Sequence, residues 1–177
     1  MYDINDSIQF TEDNDCAYVL GAVDAAKPMA AFDLDWTLIC PKSGGKRPKS
    51  LTDWKLHSHV NMTTLKEQSK QSNIVIFTNQ STHNTPEKMS EYINKKILFI
   101  LAEFEFPVSV FVAGGYSRYR KPKTAMLDLF LKINKLRSRP QDFYVGDGAG
   151  RLNDYTDADR KFAFNAKITF QTPEQYF

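Results

Sequence analysis

Four short apolar runs constrain this chain more than anything else in it: Met29 to Leu34, Asn73 to Thr78, Val108 to Ala113 and Phe143 to Gly146. Each is too short for a helix with a solvent face, and each has polar or Gly punctuation at its C-terminal end, the pattern of strands buried on both faces. Between them lie stretches of helical spacing. Met62 to Gln71 is one. Thr85-Pro86-Glu87 opens another with an N-cap, a proline at the first helical position and an acid in the first turn. Its apolar positions Met89, Tyr92, Ile93, Ile97, Ile100, Leu101 and Phe104 carry that helix to about Glu105. Lys123 to Lys135 repeats the pattern, with Met126, Leu127, Phe130, Leu131 and Ile133 facing inward. Strands alternating with helices predict an α/β fold around a central parallel sheet.

The remaining segments fit around that sheet. Residues 8 to 10 and 17 to 20 flank a polar Thr-Glu-Asp-Asn-Asp stretch and read as an N-terminal β-hairpin. Asp157 to Asn165 reads as a short helix, Lys167 to Phe170 as a last strand, and Thr172-Pro173-Glu174 as the start of a terminal helix. A chain of 177 residues has room for one ordinary domain, so residues 1–177 are expected to form one. Within it, residues 41–55, rich in Lys, Pro, Ser and Gly, are expected to form a basic surface loop rather than a linker.

A net charge of +2 argues against a basic nucleic-acid-binding tail and against a disordered acidic protein. The average hides a split, however. Residues 1–26 hold Asp3, Asp6, Glu12, Asp13, Asp15 and Asp24 with no Lys or Arg, so the body that follows is basic. The two cysteines, Cys16 and Cys40, are too few for a disulfide framework and are read as buried apolar residues in an intracellular, soluble protein. No apolar stretch reaches the roughly 18 residues that a membrane span needs.

In open α/β sheets the chemistry gathers at the carboxyl ends of the strands, and here each such end carries reactive groups. The first run leads into Asp33-Leu-Asp35-Trp-Thr37, the second ends in Thr78-Asn79-Gln80, a later loop supplies Arg120-Lys121-Pro122, and the last run leads into Asp147-Gly-Ala-Gly-Arg151. Asp33, Asp35 and Asp147 would repel one another strongly unless a divalent cation and the Lys121 ammonium offset them. Hard oxygen ligands of this kind suit Mg²⁺. A carboxylate so placed can attack phosphorus and form an aspartyl phosphate, with Asp33 as nucleophile and Asp35 as proton donor and later acceptor. The Thr78 hydroxyl can donate to a phosphoryl oxygen.

The order of these motifs resembles the haloacid dehalogenase superfamily, and the longer strings go further. Phe-Asp-Leu-Asp-x-Thr-Leu, Ser43-Gly44 with Asp53-Trp54, Ile-Phe-Thr-Asn-Gln, Tyr-Arg-Lys-Pro, Tyr-Val-Gly-Asp-Gly-Ala-Gly-Arg, Ala-Asp-Arg-Lys-Phe-Ala-Phe-Asn and the final Thr-Pro-Glu-Gln-Tyr-Phe resemble the phosphatase domain of polynucleotide kinase 3′-phosphatases over about residues 29 to 177. The resemblance implies a Rossmann-like three-layer core and an Mg²⁺-dependent phosphoric monoester hydrolase. It also implies Asp33 as nucleophile, Asp35 as acid and base, Thr78 and Lys121 as phosphate ligands, and Asp33, Asp35 and Asp147 as metal ligands. By the same resemblance Asp159 is a supporting or structural acid. Trp36 stands where the family usually has Gly, so the turn after the nucleophile must be one that a bulky residue can adopt, or activity is impaired. No Gly-x-x-x-x-Gly-Lys-Ser/Thr string occurs, so the kinase half of the bifunctional enzymes is expected to be missing.

Spacing adds an independent constraint. Asp35 to Thr78 and Thr78 to Lys121 are each 43 residues apart, and a strand-helix crossover alone uses about 30. No large cap domain fits, so the site is open to a macromolecule. Thr37, Asn79, Arg120, Lys46 and Arg151 are the residues expected to meet the substrate, together with the other cations of the 41–55 loop. Trp54 is read either as a base-stacking residue or as a buried anchor for that loop, and His57 and His59 as a weak zinc-site pattern without a third ligand. The expectation is a monomeric polynucleotide 3′-phosphatase acting on DNA ends in strand-break repair, with no repair-protein partner identified. Two other readings stay open: a small-molecule or protein phosphatase of the same superfamily, and a catalytically weak module that binds nucleic-acid ends.

Overall fold

Alternation along the strands sorts the side chains into two cores. A computed structural model describes residues 8–177. Its elements are β1 (Gln9–Phe10), β2 (Cys16–Val19), β3 (Met29–Phe32), β4 (Ile39–Cys40), β5 (Lys55–Leu56), α1 (Met62–Gln71), β6 (Asn73–Gln80) and α2 (Pro86–Tyr92). A π-helical turn (Ile93–Ile97) follows, then α3 (Leu98–Leu101), β7 (Val108–Gly114), α4 (Ala125–Ile133), β8 (Phe143–Val145), α5 (Ala158–Ala166), β9 (Thr169–Gln171) and α6 (Pro173–Tyr176). Ala30, Phe32, Ile74, Ile76, Val110 and Val112 face one core with Leu65 of α1 and Met89, Tyr92 and Ile100 of the α2–α3 segment. The intervening Ala31, Val75, Phe77, Phe111 and Ala113 face the other, with Met126, Leu127 and Phe130 of α4 and Phe162 of α5. Period-2 strands with apolar residues on both faces therefore need helices on both sides. The result is the three-layer arrangement expected from the sequence.

The seven-stranded sheet runs β1-β2-β7-β6-β3-β8-β9. Strands β7, β6, β3, β8 and β9 are parallel, while β2 pairs antiparallel with β7, and β1 with β2. The N-terminal hairpin thus extends the β7 edge. The acids Asp3 and Asp6 lie outside the described residues. From β3 the chain winds outward through β6 to β7, then returns to β8 on the other side of β3, so the topological switch falls at the end of β3. Asp33 follows that strand directly.

Several local features differ from the sequence expectation. The helix foreseen from Thr85 to Glu105 starts as expected, with the Thr85 hydroxyl accepting from the Lys88 amide, but it widens into the π turn, where the Leu98 amide reaches the Ile93 carbonyl. That turn buries Lys96 along with Ile93 and Ile97. The basic loop 41–55 is closed at its base by the small antiparallel pair β4–β5, too short to show as strands in the sequence. Trp54 packs partly buried against the core with the Lys42 ammonium over its ring, which makes it the loop's anchor. Cys16 is buried as expected, and burial pushes its thiol up to about 12, whereas Cys40 is only half-buried. The last strand begins two residues later than expected because Lys167 takes a left-handed conformation (φ 57°) that ends α5.

Phe77 is fully buried against Phe111, Phe130 and Phe162. Phe77→Ala removes a ring with no route for collapse, and is expected to cost about 3–5 kcal/mol in a urea unfolding experiment.

Candidate active site

The turn after β3 is where the chain first concentrates charge. Asp33 donates its backbone N–H to Val145 of β8 and has only 8% of its surface exposed. Its carboxylate accepts from the Lys121 ammonium at 2.5 Å. Lys121 is itself buried, and its ammonium also reaches the Tyr144 hydroxyl at 2.6 Å and Asp159 at 2.9 Å. The Lys121 backbone is clamped to Asn79 of β6, whose side chain accepts from the Lys121 N–H and donates to its carbonyl. The Asn79 side chain, expected to meet the substrate, is thus engaged with the Lys121 backbone.

Asp159 lies in the first turn of α5 and folds back onto the Asp147-Gly148 loop. The Gly148 amide donates to its carboxylate at 2.9 Å and Tyr144 donates at 3.0 Å. Glycine is required beside it: a β-carbon on Gly146 would lie 2.5 Å from the Asp159 carboxyl carbon, and one on Gly148 would lie 2.8 Å from its oxygen. Thr37 ties the two aspartate loops together. Its hydroxyl accepts from the Asp147 amide at 3.0 Å and lies 3.4–3.5 Å from the carboxylates of Asp147 and Asp33. Thr37 is buried, and its place is that of a brace between loops.

Asp33, Asp147 and Asp159 each offer a carboxylate oxygen, and those oxygens lie within 4.8 Å of one another. Three carboxylates face one ammonium. Burial pushes Asp33 well above the ordinary carboxylate range; Lys121 pulls it back, and Asp159 and Asp147 push it up again. Burial and the Asp159 charge raise Asp147 to about 6. Burial alone would lower the Lys121 ammonium, but Asp159 and Asp33 outweigh it and hold it above its ordinary value. The site is short of positive charge, and a divalent cation bound by oxygen fits both the donor set and the deficit.

Asp35 stands apart from this group. Its carboxylate turns to Gln80, which donates at 2.8 Å, and to the Lys96 ammonium at 3.4 Å. The expected ligand trio of Asp33, Asp35 and Asp147 thus has Asp159 beside the other two, with the Asp35 side chain directed elsewhere. Thr78 is buried at the end of β6 and accepts from Gln80 at 3.0 Å. Lys96 was not foreseen, although a lysine in the middle of an apolar stripe marked it.

The residues expected to meet substrate are placed less uniformly. Lys46 is exposed on the 41–55 loop. Arg120 adjoins Lys121, its guanidinium lies 4.9 Å from the Tyr116 ring, and its buried Nη1 has no hydrogen-bond partner. Arg151 pairs with Asp154 and Glu174 and donates to the Asp147 carbonyl, so it holds the Asp147 loop in shape. His57 and His59 stack on each other at 3.9 Å, and His59 Nε2 lies 2.7 Å from the Thr37 carbonyl, so the pair braces the turn after β3, and no third candidate ligand joins it among the described residues.

A parallel sheet with Asp-x-Asp at its switch point, a buried lysine and a third acidic loop defines a phosphatase of the haloacid dehalogenase type, a hydrolase of phosphoric monoesters. Solved structures share the fold: a haloacid dehalogenase-like phosphatase of Mesorhizobium loti (TM-score 0.66, 17% identity, 89% of this chain and 78% of that one), and a heptose bisphosphate phosphatase of B. bronchiseptica crystallised with magnesium and phosphate (TM-score 0.55, 15% identity, 82% and 78%). Residues 28–177 match the model of the polynucleotide kinase 3 phosphatase family, and the chain belongs to that family. It is 36% identical over 168 residues to a 20.8 kDa protein of Autographa californica nuclear polyhedrosis virus, covering 90% of this chain and 91% of that one. It is also 36% identical over 159 residues to the bifunctional polynucleotide phosphatase/kinase of Schizosaccharomyces pombe, but spans only 39% of that protein.

Lys121 is the point where the site and its stability meet. Lys121→Met leaves buried carboxylates unpaired and is expected to lower stability by about 3 kcal/mol. Adding Asp159→Asn should recover part of that loss in a double-mutant unfolding cycle, while phosphatase activity stays abolished in both variants.

Proposed function

We propose that this chain is an Mg²⁺-dependent polynucleotide 3′-phosphatase that removes 3′-phosphates from DNA ends through an aspartyl-phosphate intermediate, and that it serves strand-break repair. The observation that carries the reading is the pairing of a buried Asp33–Lys121 contact with Asp147 and Asp159 at one open strand end, in a chain of this family. One phosphatase domain of residues 1–177, monomeric and intracellular, is part of the proposal. Free Cys16 and Cys40 are compatible with a reducing compartment. Among the described residues no helix is long and apolar enough to cross a membrane.

In this mechanism the Asp33 oxygen attacks phosphorus and the bond to the sugar 3′ oxygen breaks. Asp35, in its acid form, gives its proton to that leaving oxygen. Water deprotonated by Asp35 then attacks the aspartyl phosphate, releasing inorganic phosphate and restoring Asp33. The Lys121 ammonium, the Thr78 hydroxyl and nearby backbone amides stabilise charge on the phosphoryl oxygens. Asp33, Asp147 and Asp159 would hold Mg²⁺, which supplies charge neutralisation for the approach of one anion to another; the magnesium and phosphate in the heptose bisphosphate phosphatase support that choice. The bonds from Gln80 and Lys96, which turn the Asp35 carboxylate away from the other acids, support giving it the separate role toward the leaving oxygen.

Purified protein is expected to release phosphate from a 3′-phosphorylated oligonucleotide far faster than from a 5′-phosphorylated one, to stop on chelation of divalent cations, and to resume with Mg²⁺. Asp33→Asn should lose turnover by at least about 10³-fold, and full activity in that variant sinks the mechanism. Binding without turnover by the wild type would favour the end-binding module instead.

Lys96→Met tests the placement of Asp35. Turnover of the oligonucleotide, whose sugar oxygen is a poor leaving group, should fall about 10²-fold. The pre-steady-state burst from p-nitrophenyl phosphate, whose leaving group needs no proton, should be largely retained.

A further inference from the structure

Trp36 is the residue in the active-site turn that the mechanism leaves without a task. It follows Asp35 directly, and the turn it occupies is tight: the Trp36 amide donates to the Ile39 carbonyl, while the Leu38 and Ile39 amides both donate to the Leu34 carbonyl. Trp36 has φ 66°, the left-handed region in which a β-carbon is crowded and glycine is at ease. Burial repays that crowding only in part, because 39% of the residue's surface stays exposed. An indole kept in a strained position and left half in water points to a ligand rather than to the core.

The indole is also held in place. It meets His57 in a T-shaped contact at 6.1 Å, His57 stacks on His59 at 3.9 Å, and His59 stacks on Phe177 at 5.5 Å. Phe177 and Tyr176 carry the series to Phe32 in the first core. The His59 bond to the Thr37 carbonyl locks the same series to the nucleophile turn. A ring braced this way loses little freedom when another ring stacks on it.

We propose that Trp36 is the platform on which the base of the substrate's 3′-terminal nucleotide stacks. The inference rests on the 3′-phosphatase reading, because that reading fixes which sugar lies where. The leaving sugar oxygen must be within proton-transfer reach of Asp35, and the base hangs from the same sugar. Consecutive α-carbons are about 3.8 Å apart, so the exposed side chain after Asp35 starts within a few ångströms of the residue assigned to that sugar oxygen. Behind it, Lys42, Lys46, Arg47 and Lys49 are exposed on the loop that leaves β4 four residues after Trp36, placed for the phosphates of the preceding nucleotides. Stacking uses the face common to all bases, so the site should tolerate any terminal base while favouring ends that are frayed or single-stranded.

The test compares wild type, Trp36→Gly and Trp36→Phe on three Mg²⁺-loaded substrates: a 3′-phosphorylated oligonucleotide, the same oligonucleotide with an abasic 3′-terminal sugar phosphate, and p-nitrophenyl phosphate. Trp36→Gly should raise KM roughly ten-fold on the base-bearing end, the order of one base-aromatic stack, bringing it to the value for the abasic end. It should leave kcat and the other two substrates within about two-fold, and its melting temperature should not fall, since glycine suits the turn. Trp36→Phe should keep most of the affinity. Equal losses on all three substrates, or no change on the base-bearing end, overturn the proposal. Failure of wild type on both oligonucleotides with activity on p-nitrophenyl phosphate overturns the 3′-phosphatase reading instead. A second measurement stands apart from turnover. The chain has two tryptophans, so in Trp54→Phe the fluorescence reports Trp36 alone. The 3′-hydroxyl oligonucleotide product should quench it and the abasic product should not; equal quenching by both overturns the proposal.

Discussion

The buried ammonium of Lys121, shared between Asp33 and Asp159 at 2.5 and 2.9 Å, is the contact on which the rest of the site depends. A lysine with almost no solvent exposure is tolerated only when its charge is matched. Here the match comes from two segments far from the lysine's own loop before α4: the end of β3 and the first turn of α5. That one contact sets demands on its surroundings. Asp159 must come close to the Asp147 loop, so Gly146 and Gly148 cannot carry side chains. The loop bearing Lys121 must be held to β6, which Asn79 does by bonding both its N–H and its carbonyl. Local conformations of the loops thus follow from where a single charge must sit.

Two carboxylates separated by one residue nevertheless live in different surroundings. Asp33 is enclosed with like charges and one ammonium, whereas Asp35 is half-exposed and held by the Gln80 amide and the Lys96 ammonium. Different environments are what let neighbouring acids take different chemical parts. The π turn is the device that separates them. By widening the helix at Ile93–Ile97 it buries a lysine among apolar neighbours, close over the Tyr92 ring, and directs its ammonium to Asp35. Insertions of this kind are common at functional positions.

Much of the fold was legible because it follows from periodicity. The four apolar runs became β3, β6, β7 and β8, and the inward positions of the helices were those the spacing gave, since burial on two faces leaves a strong pattern. Asp33, Lys121 and Asp147, which the structure brings together, stand just beyond a strand or in a loop marked by proline, whereas Thr78 lies inside β6. Asp159 was harder to weigh, because its approach to Asp33 depends on how α5 packs, which is a long-range property. Lys96 left a trace that apolar counting discards: it falls in line with Tyr92 and Ile100, and a charge on a core stripe requires a buried partner. The strands β4 and β5 have two residues each and no periodicity to read. Asn79 and Thr37 have side chains that bond protein within the site, and the exposed Arg151 bonds Asp154, Glu174 and the Asp147 carbonyl, uses that residue type alone does not reveal.

The near-balance of charge in the whole chain says little about what an approaching phosphate would meet. On the β7 edge Asp13 pairs with Arg118 at 3.1 Å, so part of the acidic N-terminal segment is spent on a cation two residues from Arg120. The loop 41–55 is shaped differently. Asp53 accepts from the Ser43 amide, the Ser43 hydroxyl and the Lys49 amide, and these bonds hold its carboxyl at about 2, well below the ordinary range. The loop's acid is turned onto its own backbone, leaving the side chains of Lys42, Lys46, Arg47 and Lys49 in solvent. Since exposed charges act over only about a Debye length, roughly 8 Å at physiological ionic strength, it is this local excess on the loop that follows the β3 turn, and not the sum over the molecule, that would steer a polyanion to the site.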